Sequence, residues 1–462
     1  MNISGSQSRQ PSSAAQPATW RIGAAETDIT PAHSQYLFGY PHVARYSTGV
    51  HDPLLASAMY IGDGELHGAL FVACDIIWVP QEVAQRARQR IAQATQVPVE
   101  SIMVSATHTH SGPITASMIS NADDPHVPPP DPAVLTQLEE GIVSAAAKAW
   151  RTAAPATLAY ACVDGSALGT NRRDPAGASI PAVPMLVARD AHSHAPLAVM
   201  VVVSMHPTVL HEDWTHVSGD FPGLARRWLQ ANVVGQRCPL VYHMGAAGNQ
   251  SPRHVVKANT IAEAERLGQI LGRAIAAGIQ QAQPVTPVSI EAATVQVDLP
   301  VRQFPSVQEA SARLDQVKAH LKHLQETSSD RAHIRTAECD WFGAQETLTL
   351  ARASANGMVD QAARSCMPAL VQVIRIGEHL FVGWPGEIFV EFAQAVMQRH
   401  PTVHIITLAN GRLEGYLVTA EAVAEGGYEA SNAIFASPQS GQRLVDATLH
   451  LIDRLAPSEE RR

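Results

Sequence analysis

The sequence predicts an α/β fold of layered mixed β-sheets flanked by helices, with an inserted helical hairpin. Two observations carry this reading: strand-length apolar runs recur along the whole chain, and helical patterns alternate with them. The runs at 69–77, 102–106, 197–205, 239–244, 370–376, 380–382 and 404–408 are rich in Val, Ile and Ala and read as buried strands. Helical patterns occupy 81–94, 132–150, 223–232, 260–281, 306–325 and 440–455. Two of these open with capping-box spacing, Thr260 with Glu263 and Ser306 with Glu309, in which hydroxyl and carboxylate satisfy orphan amides reciprocally. The strand-like run at 288–299 and a hairpin at Gly377-Glu378 make the sheets mixed rather than purely parallel. Residues 301–365 are polar and poor in strands, and Leu314, Val317, Leu321 and Leu324 line up as one apolar stripe. That stretch reads as a helical hairpin inserted into the unit spanning 21–462, not as a separate domain.

Composition narrows the function classes. With 462 residues, 46% of them hydrophobic and 16% charged, the chain can bury a large core. Its 33 Lys+Arg against 42 Asp+Glu give a formal charge of −9, which argues against a phosphate-backbone partner, so no nucleic acid is expected. Residues 1–20 lack the apolar segment of a secretion signal and read as a disordered polar lead. No run approaches the ~20 apolar residues of a membrane span, so stable membrane insertion is not expected. Five cysteines (Cys74, Cys162, Cys238, Cys339, Cys366) contain no CxxC pair. That pattern suits free buried thiols in a reducing compartment, and a cytoplasmic location follows.

The chemistry collects where apolar runs end, the place at which α/β proteins gather ligands. After 102–106 comes Thr107-His108-Thr109-His110-Ser111-Gly112-Pro113; after 197–205 comes His206-Pro207; after 239–244 comes the loop 245–252. Trp384-Pro385-Gly386-Glu387 follows 380–382, and Ala409-Asn410 leads from 404–408 toward Tyr416. In extended backbone the i, i+2 spacing of His108 and His110 points both imidazoles to one side. Two such histidines can share a metal, or one can bind it while the other works as acid or base. Glu387, if buried, requires a cation or dense hydrogen bonding. Two histidines and a carboxylate form the usual ligand set of a hydrolytic zinc site. Taken singly, His206 reads as a satisfied core histidine, Tyr416 as a sheet-end tyrosine with a wet hydroxyl, and Arg172 as a surface ion pair beside Asp174. Asp220 reads as the cap of the following helix, while His211 and His216 read as loop residues lining a pocket or facing water. Trp214, Trp341 and Trp384 stand near the candidate pocket loops.

As an ordered set, these residues resemble the neutral ceramidases, zinc amidases that cleave the N-acyl bond of ceramide. The likeness rests on TGVHDPL at 48–54, THTHSGP at 107–113, Asn171-Arg172, Met205-His206, the loop 248–252, Pro385-Gly386-Glu387, and the segments 415–421 and 428–430. Position by position it implies zinc held by His108, His206, Glu387 and Tyr416. It implies His110 as acid/base and Arg172 and Tyr428 as oxyanion donors; Asn171, Asn249, Ser251 and Asp220 are read as lying behind the ligands or beside the substrate. Ser251 is read as a loop residue rather than a nucleophile, since a metal-activated water requires no covalent step.

The chain departs from the family's pattern at Asn249, where an acidic residue is usual, and at Glu421-Ala422-Val423, where the family has Glu-Glu-Tyr. No room is left for a C-terminal immunoglobulin-like domain, and a catalytic domain alone is expected. The expected function is zinc-dependent hydrolysis of an amide bond by metal-activated water, on a small or moderate N-acyl amine rather than ceramide. A zinc esterase or lactonase would use the same site, and a degenerate metal-binding protein would keep the metal without turnover. Residues 301–365 fit either a substrate-selecting lid or a contact in a homo-oligomer.

Overall fold

The computed structural model describes residues 20–64, 67–287, 290–435 and 437–455. The large sheet is built from β1 (Trp20–Asp28), β2 (Leu55–Gly62), β3 (Gly68–Cys74), β4 (Ile102–Ala106), β5 (Ala154–Asp164), β6 (Ala182–Asp190), β7 (Pro196–Val203) and β8 (Leu240–Met244). Their order is β8-β7-β6-β5-β1-β2-β3-β4, with Gln283–Pro284 added on β5. The pairs β3/β4 and β7/β8 are parallel and the rest antiparallel. A second sheet holds β9 (Glu291–Val297), β10 (Ala369–Ile376), β11 (His379–Gly383) and β12 (Val403–Ile406) in that order, with only β11/β12 parallel. The mixed character predicted from the sequence is thus present in both sheets. The β10/β11 hairpin turns at Gly377-Glu378, where Gly377 has φ +64°.

The sheets stack face to face, with helices covering the outer faces, giving four layers. Between the sheets, Trp20, Ile22, Met59, Phe71, Met103, Met200 and Val241 meet Ile374, Ile376, Phe381 and Ile406. Helices α1 (Gln81–Thr95), α2 (Pro132–Arg151), α3 (Asp220–Leu229) and α4 (Ile261–Gln281) cover the large sheet. The second sheet is covered by α8 (Val390–Met397) and α11 (Pro438–Leu455). The polar stretch forms α5 (Val307–Thr327), α6 (Arg331–Ala355) and α7 (Met358–Cys366), a hairpin followed by a short third helix. Short helices α9 (Ala420–Glu425) and α10 (Tyr428–Asn432) complete the segment after β12.

Several expectations require correction. Trp20 is the buried first residue of β1, so the predicted 1–20 lead overlaps the sheet by one residue, and 1–19 lie outside the described residues. Positions 288 and 289 of the run 288–299 also lie outside them; the strand there is Glu291–Val297. Ser306 and Glu309 form the capping box, but Thr260 makes no side-chain cap. Glu263 instead accepts from Lys257 N at 2.8 Å and pairs with Arg266. β1 and β5 escaped notice because Ala, Thr and charged residues break up their apolar alternation, and β2 and β6 because Ser and Ala in one and Pro184 in the other interrupt largely buried apolar runs. Among the described residues no helix is long and apolar enough to cross a membrane.

The site depends on the large sheet curling until its edge strands meet. Ser105 Oγ on β4 bonds His243 Nδ1 on β8 at 2.7 Å. Residues 407–410, leaving β12, bridge the same gap: Thr407 N donates to Met244 O, Ala106 N to Leu408 O, and Asn410 N to Val104 O. The ends of β4, β8 and β12 are thereby tied together. Buried Arg226 of α3 pairs with Asp75 at 2.8 Å and so fixes the turn after β3.

Candidate metal centre and active site

After β4 the chain folds back over the turn from β3. Thr107 N donates to Cys74 O and His108 N to Ile76 O. His108 has φ +70°, a left-handed conformation that costs a β-bearing residue about 1–3 kcal/mol. The extended backbone expected for the His108/His110 pair is therefore corrected: a left-handed turn, not a strand, brings the two rings together. Their Nε2 atoms lie 3.3 Å apart. His206 arrives from β7, and Glu387 from the end of β11. Glu387 pairs with Tyr416 in a two-residue parallel ladder, Glu387–Ile388 against Tyr416–Leu417. The residues before them, Gly386 (φ +87°) and Gly415 (φ +83°), are both left-handed. A Cβ on the first would meet Leu413 at 2.8 Å and one on the second Ala433 Cα at 2.6 Å, so only glycine admits the ladder.

Four buried groups converge. The ligand atoms of His108, His110 and His206 all lie within 4.8 Å of one another, so this triad can hold a metal ion. Glu387 Oε2 is 3.2 Å from His108 Nε2 and 3.0 Å from His206 Nε2. His108 Nδ1 donates to Ile77 O at 2.9 Å, and His206 Nδ1 to Ala247 O at 2.6 Å and Gln250 O at 3.0 Å. A carbonyl only accepts, so each Nδ1 carries the proton. Each ring then turns Nε2 toward the carboxylate, a contact that is attractive only where Nε2 carries a second proton or shares a cation with it. Burial, then the Arg172 charge, pushes the His206 imidazole down to about 4, so at neutral pH it cannot supply the missing positive charge. Burial raises the Glu387 carboxyl, but positive charge and N–H donation at the facing histidines outweigh it and hold the group well below the usual carboxylate range, so its ionised form depends on positive charge at that position. A carboxylate against two lone pairs is repulsive unless a cation lies between them. Tetrahedral zinc with ligands at ~2.0–2.1 Å separates ligand atoms by about 3.3 Å, and Glu387 Oε2 stands 3.2 and 3.0 Å from the two anchored imidazoles. The donor set fits.

His110 differs from the other two histidines. Its Nδ1 is buried without a hydrogen-bond partner, whereas theirs are anchored to carbonyls as metal-binding imidazoles usually are. Burial, followed by His108 and His206, holds its imidazole well below its ordinary range, so the ring is neutral.

Arg172 is buried, not at the surface, and its partner is Glu429 rather than Asp174: Nε donates to Glu429 Oε1 at 2.7 Å. Arg173 Nη1 holds Oε2 of the same carboxylate at 3.0 Å, leaving Arg172 Nη2 buried without a partner. The Arg172 guanidinium lies 5.4 Å from the Tyr416 ring centroid. Tyr416 is buried beside Glu387 and Arg172 instead of presenting a wet hydroxyl. Burial, then Glu346 and Tyr416, pushes the Tyr428 phenol well up, so it remains a donor.

The remaining sequence-derived positions shape loops. Asn171 Oδ1 accepts from Arg173 N and Nδ2 donates to Ala178 O, setting the turn that presents Arg172. Ser251 Oγ caps Arg253 N. Asp220 is the first residue of α3 rather than its cap, which is Gly219. Its Oδ2 accepts from Val209 N and Leu210 N, and so it steadies the loop after His206. Asn249 Nδ2 donates to both oxygens of Glu391, and its Oδ1 accepts from Val390 N. The carboxylate that the sequence lacks at 249 stands on α8 instead. His211 lines the main cavity and bonds Asn259, while His216 is exposed in a short ladder with Gly49. Trp384 is a core residue donating to Thr448, not a pocket residue.

His110, at the edge of the cluster, and Tyr416 line a cavity of about 420 Å³ that also reaches Tyr40, Arg172, Ser251 and Tyr428 and is walled by α6. A smaller space of about 40 Å³ adjoins it, bounded by His108, Glu387 and Glu346. Sequence reasoning missed Glu346 and the anchoring role of Glu429. Glu346 lies on α6, accepts from Asn121 Nδ2 at 3.0 Å, and is buried. Burial pushes its carboxyl up to about 8. Nothing in its surroundings in sequence marks it; only the packing of α6 over the site does.

Comparison with known proteins follows this geometry. The family described as neutral/alkaline non-lysosomal ceramidase, N-terminal, matches residues 20–260. No curated protein matches the chain. Among solved structures, neutral ceramidase from Pseudomonas aeruginosa superposes with a TM-score of 0.71 at 19% identity, covering 96% of this chain and 76% of that one. A ceramidase complexed with C2 gives 0.70 at 18% identity, covering 95% and 76%. At these identities the likeness is one of fold.

Two predictions follow from the local chemistry. Asn249→Asp sets a second carboxylate against Glu391 and should destabilise the protein by about 1–3 kcal/mol in urea denaturation; unchanged stability would contradict the pairing. Glu346 keeps its proton when folded up to about pH 8 but loses it near 4.5 when unfolded. The stability this contributes is full below pH 4.5 and is lost as pH rises to about 8. Glu346→Gln should therefore gain on wild type between pH 5 and 8, by an amount on the order of a few kcal/mol, with no further divergence above pH ~8. Parallel melting curves across that range would contradict the buried neutral carboxyl.

Proposed function

The chain belongs to the neutral/alkaline non-lysosomal ceramidase family, and we propose that it is a zinc-dependent hydrolase cleaving the N-acyl bond of a small or moderate amide. The observation that carries this is buried Glu387 facing the Nε2 atoms of His108 and His206 at 3.2 and 3.0 Å, beside a cavity of about 420 Å³. That volume lies at the small-ligand end of the usual range, which supports a compact N-acyl amine over a two-chain lipid. In this reading His108, His206, Glu387 and Tyr416 hold the zinc, which when bound supplies a Lewis acid and an acidic water.

The protein's own groups do the rest. Neutral His110, with no carbonyl fixing its Nδ1, takes the proton from the attacking water and passes it to the departing amine. Arg172 Nη2 and the Tyr428 hydroxyl donate to the oxygen on which negative charge develops. Glu429 and Arg173 hold Arg172 in place, so little reorganisation is required as that charge appears. Asn249, the position that suggested a degenerate site, has a complementary partner in Glu391, and this favours a working loop over a decayed one. Residues 21–462 act as one catalytic unit in this account, with 301–365 as its insertion. The free cysteines support a cytoplasmic site of action.

An amide and an ester sharing one acyl group test the reading. Wild type should cleave both, and His110→Ala should lose about 10²–10⁴-fold on the amide and less on the ester, whose leaving group demands less protonation. Cleavage of the ester alone would make the protein an esterase, and wild-type amide turnover in His110→Ala would remove the residue from its role.

A further inference from the structure

The wall of the main cavity beyond the cluster has an unbalanced charge. Arg172, Arg253, Lys257, Arg331 and Arg335 line the cavity, against Glu212 and Glu338 as carboxylates. Both acids are committed to Arg335, at 2.9 and 3.0 Å. Arg172 is neutralised by Glu429. Among the described residues, Arg253, Lys257 and Arg331 make no ion pair with a carboxylate. Asp340 and Glu429 act on Arg253 only at longer range, and Glu429 is already shared by Arg172 and Arg173. Glu263, the acid near Lys257, is bound by Arg266.

Two of the three cations are tied to neighbouring elements by their own hydrogen bonds. Arg331 Nη1 donates to Lys257 O at 2.9 Å, joining the first turn of α6 to the loop after Ser251. Arg253 is half-buried, and its guanidinium meets only weak partners: Arg172 O at 3.5 Å, Thr336 Oγ1 at 3.4 Å and Cys339 Sγ at 3.3 Å. It therefore stands next to the residue presenting the oxyanion donor, with hydrogen-bonding capacity to spare. In a chain of net charge −9 this is a local reversal of sign inside a concave site, where low-dielectric walls focus the field.

We infer that the cavity takes an acyl amide bearing an anionic group, a carboxylate or a phosphate, which Arg253, Lys257 and Arg331 receive while the amide reaches the cluster. The placing of the amide rests on the proposed hydrolase reading; the anion preference does not. An N-acyl amino acid is the simplest substrate with a carboxylate so placed, and an N-acyl amine with a phosphorylated headgroup the simplest with a phosphate.

Calorimetric titration of the full chain with three probes tests this: N-octanoylglycine, its neutral analogue N-octanoylglycinamide, and O-phosphorylated N-octanoylethanolamine. At least one anion should bind tenfold or more tightly than the glycinamide, and the better anion identifies the headgroup. That ratio should shrink several-fold with rising salt. It should shrink likewise in Arg253→Gln and in the exposed Lys257→Gln, and recover in Arg253→Lys. Equal affinity for all three, no binding of any, or a ratio unchanged in both glutamine variants would overturn the inference. Anions bound with the predicted ratio but never cleaved by wild type would sink the hydrolase reading alone, and amide cleavage with no anion preference would sink this one alone.

Discussion

A carboxylate buried against the Nε2 atoms of two histidines whose Nδ1 protons are already engaged is the constraint on which the rest of this structure depends. Left without a cation, that arrangement combines desolvation with electrostatic repulsion, and burying a single uncompensated charge costs several kcal/mol. The backbone carbonyls of Ile77, Ala247 and Gln250 set this arrangement, because they engage the Nδ1 protons and turn Nε2 of each ring inward to the carboxylate. The same carbonyls orient the rings for a metal.

Reaching that geometry requires departures from ordinary backbone. Glu387 and Tyr416 face each other only because a left-handed glycine precedes each, and His108 accepts a left-handed conformation without being glycine. The surrounding framework holds these turns. The Ser105–His243 bond and segment 407–410 close the large sheet on itself, and the Arg226–Asp75 pair fixes the turn whose carbonyls meet His108. Strain of about 1–3 kcal/mol at one residue is sustainable only within packing this dense.

Much of this was legible in the sequence where local pattern decides the outcome. Strands buried on both faces announce themselves as continuous apolar runs, and the polar residues terminating them, His108, His206 and Glu387, stand where the ladders end. The half-buried strands β1 and β5 were not legible because Ala, Thr and charged residues blur their alternation, and the largely buried β2 and β6 were missed because Ser and Ala in one and Pro184 in the other interrupt their apolar runs. The family likeness placed Tyr416 and Arg172 at the site, where their own sequence neighbourhoods pointed to the surface. Glu346 and the cationic wall lay beyond reach for a different reason: their roles arise from α6 packing across the mouth of the cavity, a long-range contact that no local spacing encodes. The capping residue at 260 was misjudged because Glu263 is claimed by other local partners, the Lys257 amide and Arg266, and the extended backbone at His108 because a tertiary partner, the carbonyl of Ile76, overrode local preference.

The most direct test of the central claim is zinc content per chain, by elemental analysis of protein purified without chelator, for wild type beside Glu387→Ala. The account predicts about one zinc per chain in wild type and its loss in the variant, since removing the carboxylate removes both a ligand and the charge that makes the site demand a cation. A folded wild type that takes up no zinc even when it is supplied, or a Glu387→Ala protein that retains it unchanged, would contradict the account.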